Sequence, residues 1–149
     1  MQIGKYALKT ITSGSFALDG GAMFGIIPKP LWEKTNPADL QNRVTLATRN
    51  LLLISDDKKI LIDTGMGNKW DEKSKSIYRI DPNLKLGNAL ELSGVKTDEI
   101  TDVILTHLHF DHCGGSIMKE GEKLMPAFKN ATYWSNEEHW KWATNPNDR

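Results

Sequence analysis

Apolar and polar positions along this chain fall into short runs rather than long stripes. Ile3, Tyr6 and Leu8, then Ser15-Phe16-Ala17-Leu18, read as two short strands parted by the turn-prone Thr12-Ser13-Gly14, which predicts an opening hairpin. The stretch from Asp19 to Trp32 holds too much glycine and proline for a regular element. Its apolar residues Met23, Phe24, Ile26 and Trp32 either wall a substrate pocket or pack the loop onto the core. A turn at Asn36-Pro37-Ala38-Asp39 leads into a long strand, or a strand with a bend, from Val44 to Ile54; Ser55 to Lys59 turns the chain and Ile60-Leu61-Ile62 returns it. Residues 68 to 83 are charged and read as a solvated face with room for a short helix. Leu84, Leu86, Ala89, Leu90 and Leu92 have helical spacing and predict an amphipathic helix ended by Ser93-Gly94, its stripe belonging to the core. A single turn at Thr97 to Ile100 precedes Thr101-Asp102-Val103-Ile104-Leu105-Thr106, whose β-branched residues predict a buried strand. Ser116 to Met125 is expected to be a loop or broken helix, and Thr132-Tyr133-Trp134 a strand. Ser135 with Glu138 has the form of a capping box opening a helix through Ala143.

Composition narrows the class. A 149-residue chain with 39% apolar residues suffices for one soluble domain, residues 1–149, with a real core. Its formal net charge of zero offers no field for nucleic acid. One cysteine, Cys113, excludes an internal disulfide and fits a reducing compartment; it reads as a small buried thiol rather than a ligand. No signal-like or membrane-spanning apolar run is present, so a cytoplasmic location and no membrane partner are expected.

Chemistry concentrates in Thr106-His107-Leu108-His109-Phe110-Asp111-His112-Cys113-Gly114-Gly115, which carries three of the four histidines. Neutral imidazole and carboxylate are the side chains that bind zinc, manganese, iron or cobalt. In an extended segment His107, His109 and Asp111 project from one side, and a turn at the glycines brings in His112. In a helix, His107 pairs with Asp111 and His109 with His112. The strand upstream and the helix-weakening Gly114-Gly115 favour a loop leaving a strand end. A second stretch, Asp63-Thr64-Gly65-Met66-Gly67, follows a buried strand; Asp63 there either forms a turn or orients a metal-bound histidine from behind. His139 sits alone on the last helix and is expected at the surface or in packing.

His107-x-His109-x-Asp111-His112, preceded by Leu61-Ile62-Asp63-Thr64-Gly65, resembles the metallo-β-lactamase superfamily of hydrolases, and the order of elements agrees over most of the chain. The wording His-Leu-His-Phe-Asp-His is similar to the branch that opens N-acyl homoserine lactones. Gly20-Gly21-Ala22-Met23-Phe24-Gly25 resembles the related branch containing methyl parathion hydrolase. The resemblance implies an α/β (α+β) fold: the first half of an αββα sandwich, with a mostly antiparallel or mixed sheet and flanking helices. It implies two divalent metal ions, zinc the expected metal, with His107 and His109 on the first and Asp111 and His112 on the second, and Asp63 holding the site. Two cations roughly 3.5–4 Å apart would share a hydroxide and polarise a carbonyl or phosphoryl oxygen, with Asp111 as catalytic proton carrier. The implied substrate is a small molecule with an ester-like bond, first a lactone, alternatively a phosphotriester or thioester. Family members continue for roughly as long again, with further histidine and aspartate ligands that have no counterpart here. The expectation is therefore an N-terminal half, which exposes one sheet face. In the alternative reading it is a catalytically incomplete piece that binds one metal, forms a homodimer or pairs with a C-terminal half of the same fold.

Overall fold

The computed structural model describes residues 1–83 and 85–147. Strand β1 (Gln2–Ile3) turns at once into β2 (Tyr6–Asp19), two one-turn helices follow, α1 (Gly20–Phe24) and α2 (Lys29–Trp32), and β3 (Arg43–Ile54) runs back along β2. After β4 (Lys59–Ile62) come α3 (Glu72–Tyr78) and α4 (Leu86–Leu92), a 3-10 turn at Thr97–Glu99, β5 (Asp102–Ile104) and α5 (Phe110–Cys113). The hairpin β6 (Ile117–Glu120) and β7 (Lys123–Pro126), then β8 (Thr132–Trp134) and α6 (Glu137–Thr144), complete the order. One sheet of six strands results, in the order β1-β2-β3-β4-β5-β8, antiparallel as far as β4 and parallel from β4 through β5 to β8. This is the mixed α/β sheet with flanking helices that the sequence implies.

The opening hairpin is elsewhere than expected. Its turn is at Gly4, with φ +55°, whereas Thr12-Ser13-Gly14 lies inside β2 as a bulge between the pairs Thr12↔Arg49 and Gly14↔Thr48. The long partner β3 offers ladder bonds on both sides of the triplet, so an extra residue is absorbed rather than turned. The glycine- and proline-rich stretch is partly helical: the Asp19 carboxylate caps α1 by accepting from Ala22 N, and Pro30 fits the first turn of α2, where no N–H is needed. Phe24 stacks on Trp32 at 4.7 Å, and the buried Trp32 ring occupies the space where a Cβ on Gly20 would stand. Packing thus accounts for Phe24 and Trp32, while Ile26 is 97% exposed.

Ser116 to Met125, expected as a loop or broken helix, is instead mostly the β6–β7 hairpin, turning at Gly121-Glu122 with Gly121 at φ +58°. Glycine in the first central position is what a two-residue hairpin turn requires. Helix α6 starts one residue later than the capping box implies, because Asn136, not Ser135, accepts from Glu138 N. The helix expected from Leu84 starts at Leu86; Leu84 itself lies outside the described residues.

Even-numbered side chains of β3 from Val44 to Leu52 point inward and the odd ones from Thr45 to Leu51 outward. From the inward set Leu52 joins Ile11, Leu61, Leu90, Val95, Ile100, Val103 and Phe128 in one core. On the other face, lateral pairing sets Leu51, Ile62, Ile104 and Trp134 in one apolar row across β3, β4, β5 and β8, with Trp134 54% exposed.

Candidate metal centre

Strands β4 and β5 end side by side, and the two informative stretches leave from these ends. Asp63 follows β4 in the left-handed region, φ +58°, and its N–H still donates to Ile104 O at 2.9 Å. That backbone turn throws its side chain, 12% exposed, across the end of β5. Oδ1 accepts from Thr106 N at 2.8 Å, and Oδ2 meets Thr106 Oγ1 and His112 Nδ1, each at 2.8 Å. Asp63 is therefore both the turn residue and the group behind a histidine. With Nδ1–H donated to Asp63, Nε2 is the His112 ring nitrogen left for a metal.

The histidine stretch is loop and helix in succession, not loop throughout. His107 and His109 lie on the loop, and His109 O accepts from His112 N and Cys113 N, starting the single turn of α5 that carries Asp111 and His112. Gly114-Gly115 do not prevent this turn, because they serve a different need. Thr64 N and Oγ1 both donate to His112 O, at 2.7 and 3.1 Å, and Gly115 N donates to Gly65 O at 2.9 Å. The backbones are so close that a Cβ on Gly114 would run into Met66 O, and one on Gly115 into Thr64 O. Lys69 Nζ ties the same segment down by donating to Gly114 O and Ile117 O.

Three imidazoles meet as a result: His107 lies 4.8 Å from His109 and 3.9 Å from His112 between ring centres. Asp111 Oδ2 stands 3.5 Å from His112 Nε2. Burial, then the neighbouring His112 and His109, hold the His107 pKa below its ordinary value, which keeps that ring neutral. As they stand, no three His, Cys, Asp or Glu side chains among the described residues are set around one point to hold an ion. The donor chemistry nevertheless fits a divalent transition metal: neutral imidazoles and a carboxylate, one ring already oriented by a carboxylate behind it. Cys113 is half-buried, and burial pushes its thiol pKa up, so it remains a protonated packing group.

Several contributors were not singled out from the sequence. Thr106, Thr64 and Lys69 act through long-range contacts that carry no local signal. Phe110 sits in a cluster with Trp70, Tyr78 and Phe16, ring centres 5.3 to 6.2 Å from its own. His139 is not isolated, as expected from its position, but lies 6.5 Å from the His107 ring.

The sequence model of the metallo-beta-lactamase superfamily matches residues 44–144, a span that takes in Asp63 and all four histidines. The chain belongs to the metallo-beta-lactamase superfamily. Among solved structures, this chain is similar to a probable metal-dependent hydrolase from Staphylococcus aureus, with 32% identity and a TM-score of 0.90 over 100% of this chain and 53% of that one. It shares its fold with AidC, a dizinc quorum-quenching lactonase (24% identity, TM-score 0.74, 99% of this chain and 47% of that one). A quorum-quenching N-acyl homoserine lactone lactonase also matches in fold (23% identity, TM-score 0.67, 99% and 52%). The chain thus spans about half the length of these structures. None of the curated proteins matches it. Among the described residues no helix is long and apolar enough to cross a membrane.

Proposed function

We propose that this chain is the N-terminal half of a cytoplasmic metal-dependent hydrolase that opens an ester-like bond in a small molecule, a lactone first. The observation that carries the reading is the Asp63–His112 contact, in which a buried carboxylate at one strand end orients an imidazole brought from the next. That arrangement tunes a metal ligand, and family membership gives it a context. His107 and His109 would hold one divalent cation and Asp111 and His112 a second, with zinc the expected metal. Cations bound there supply Lewis acidity toward a carbonyl oxygen and activate water at neutral pH.

The remaining work falls to the chain's own residues. Asp63 holds His112 with Nδ1 protonated and anchors Thr106, whose Oγ1 meets His107 Nδ1, so the orientation of these two rings is tied to Asp63. Asp111, 3.5 Å from His112 Nε2, would accept a proton and return it to the leaving oxygen. The lactone preference is supported by the lactonases among the structures of the same fold. The test is metal content and turnover of N-acyl homoserine lactones by the full-length protein. Bound zinc and lactone hydrolysis abolished by chelation are expected; a protein that takes up no divalent metal overturns the reading. Hydrolysis of thioesters or phosphotriesters alone would keep the metal chemistry and overturn the lactone. A metal-loaded but inert protein would overturn the hydrolase.

A further inference from the structure

His139 is the one histidine that neither the family resemblance nor the proposed ligand set uses. Helix α6 carries it in from the far edge of the sheet, after β8, and lays its ring against His107 with centres 6.5 Å apart and planes at 72°. Edge-to-face is an arrangement that aromatic rings favour at this separation. Its Nδ1 is buried and has no hydrogen-bond partner among the described residues. A buried polar atom left unpaired destabilises a fold, and an apolar ring of the same shape would serve packing better. Packing alone therefore accounts poorly for an imidazole at this position.

We propose that His139 is a positioning residue of the metal centre: it braces the His107 imidazole from the α6 side, and its Nδ1 is held for a polar contact within the loaded site. The inference rests on the reading of His107 as a ligand. It separates the role of the ring, which phenylalanine can fill, from the role of the nitrogen, which phenylalanine cannot.

The test uses His139→Phe, His139→Ala and His139→Gln in the full-length protein. Three readouts are compared: thermal unfolding, zinc affinity by competition with a chromophoric chelator, and the His107 imidazole resonances of the metal-free protein at fixed pH. His139→Phe should keep the parent Tm or raise it, yet bind zinc about tenfold more weakly, the lower end of what losing a residue behind a ligand costs. His139→Gln should recover part of that affinity, and the His107 resonances should shift in both His139→Phe and His139→Ala. Parent-like zinc affinity in His139→Phe, or His107 resonances unmoved in both variants, would overturn the proposal. A parent that takes up no zinc while the resonances shift would overturn the proposed function and leave His139 as the brace of His107.

Discussion

Asp63 shows how much one side chain can carry when its backbone is unusual. A non-glycine residue at φ +58° is uncommon, and aspartate is among the residues that tolerate it. What the conformation achieves is direction: the carboxylate leaves the axis of β4 and reaches Thr106 and His112 together. Asparagine can keep the turn but has one acceptor oxygen, so either the Thr106 N–H or His112 Nδ1–H loses its partner. Asp63→Asn is expected to cost about 1–3 kcal/mol in urea unfolding. Its zinc affinity should fall roughly 10- to 100-fold, measured by chelator competition. A variant with unchanged affinity would show that Asp63 serves the fold alone.

At the scale of elements, the two motifs are one object. The loop after β4 and the turn after α5 are pressed backbone to backbone, with Thr64 holding His112 O and Gly65 holding Gly115 N. Gly115→Ala should therefore destabilise by about 1–3 kcal/mol through overpacking against Thr64. Gly87→Ala in α4, where the new Cβ would meet only Thr97 Cγ2 at 3.7 Å, should be neutral or stabilising by up to about 1 kcal/mol. Equal losses in denaturant unfolding would contradict the close-approach argument.

A second coupling lies at the base of β5, where the buried Asp102 accepts from Lys58 at 2.7 Å, from Thr101 at 2.7 Å and from Trp134 Nε1 at 3.0 Å. The Lys58 bond first, then Thr101, holds its carboxyl below the usual carboxylate range. A lowered folded pKa stabilises above the unfolded value, about 4, and that stability is lost as pH falls through the lower folded pKa. Asp102→Asn should thus be less stable than the parent at neutral pH by about 1–3 kcal/mol, the gap shrinking below about pH 4. A gap independent of pH in urea titrations would show that charge is not the cause.

For the molecule as a whole, one face of the sheet is covered by the core and the other carries the row Leu51, Ile62, Ile104 and Trp134. Such a face agrees with a chain that spans about half the length of the similar structures. The candidate ligands follow the C-terminal end of β5, with Asp63 behind them at the end of β4, and a metal bound there to the folded chain should stabilise it by mass action. At a zinc concentration a hundred times the Kd, the full-length protein is expected to gain about 2.7 kcal/mol, read as a Tm that climbs with zinc and returns on chelation. A Tm indifferent to zinc would argue against binding to the folded state.

The sequence alone determined what local chemistry controls. Apolar runs marked β3 and β4, β-branched residues marked β5, and the residue types from His107 to His112 announced donors for a metal. Tertiary structure decided whatever depended on a partner distant along the chain. Thr12-Ser13-Gly14 became a bulge only because β3 runs past it, and Gly114-Gly115 allowed a helical turn because the space they open is filled by the loop of Asp63. The pairing of Asp63 with His112, 49 positions apart, and of His139 with His107 has no periodic trace in the chain. Residue types set which bonds a site can make; the register of β4, β5 and β8, fixed by burial of Leu61 and Val103 on one face, decided which atoms came within reach to make them.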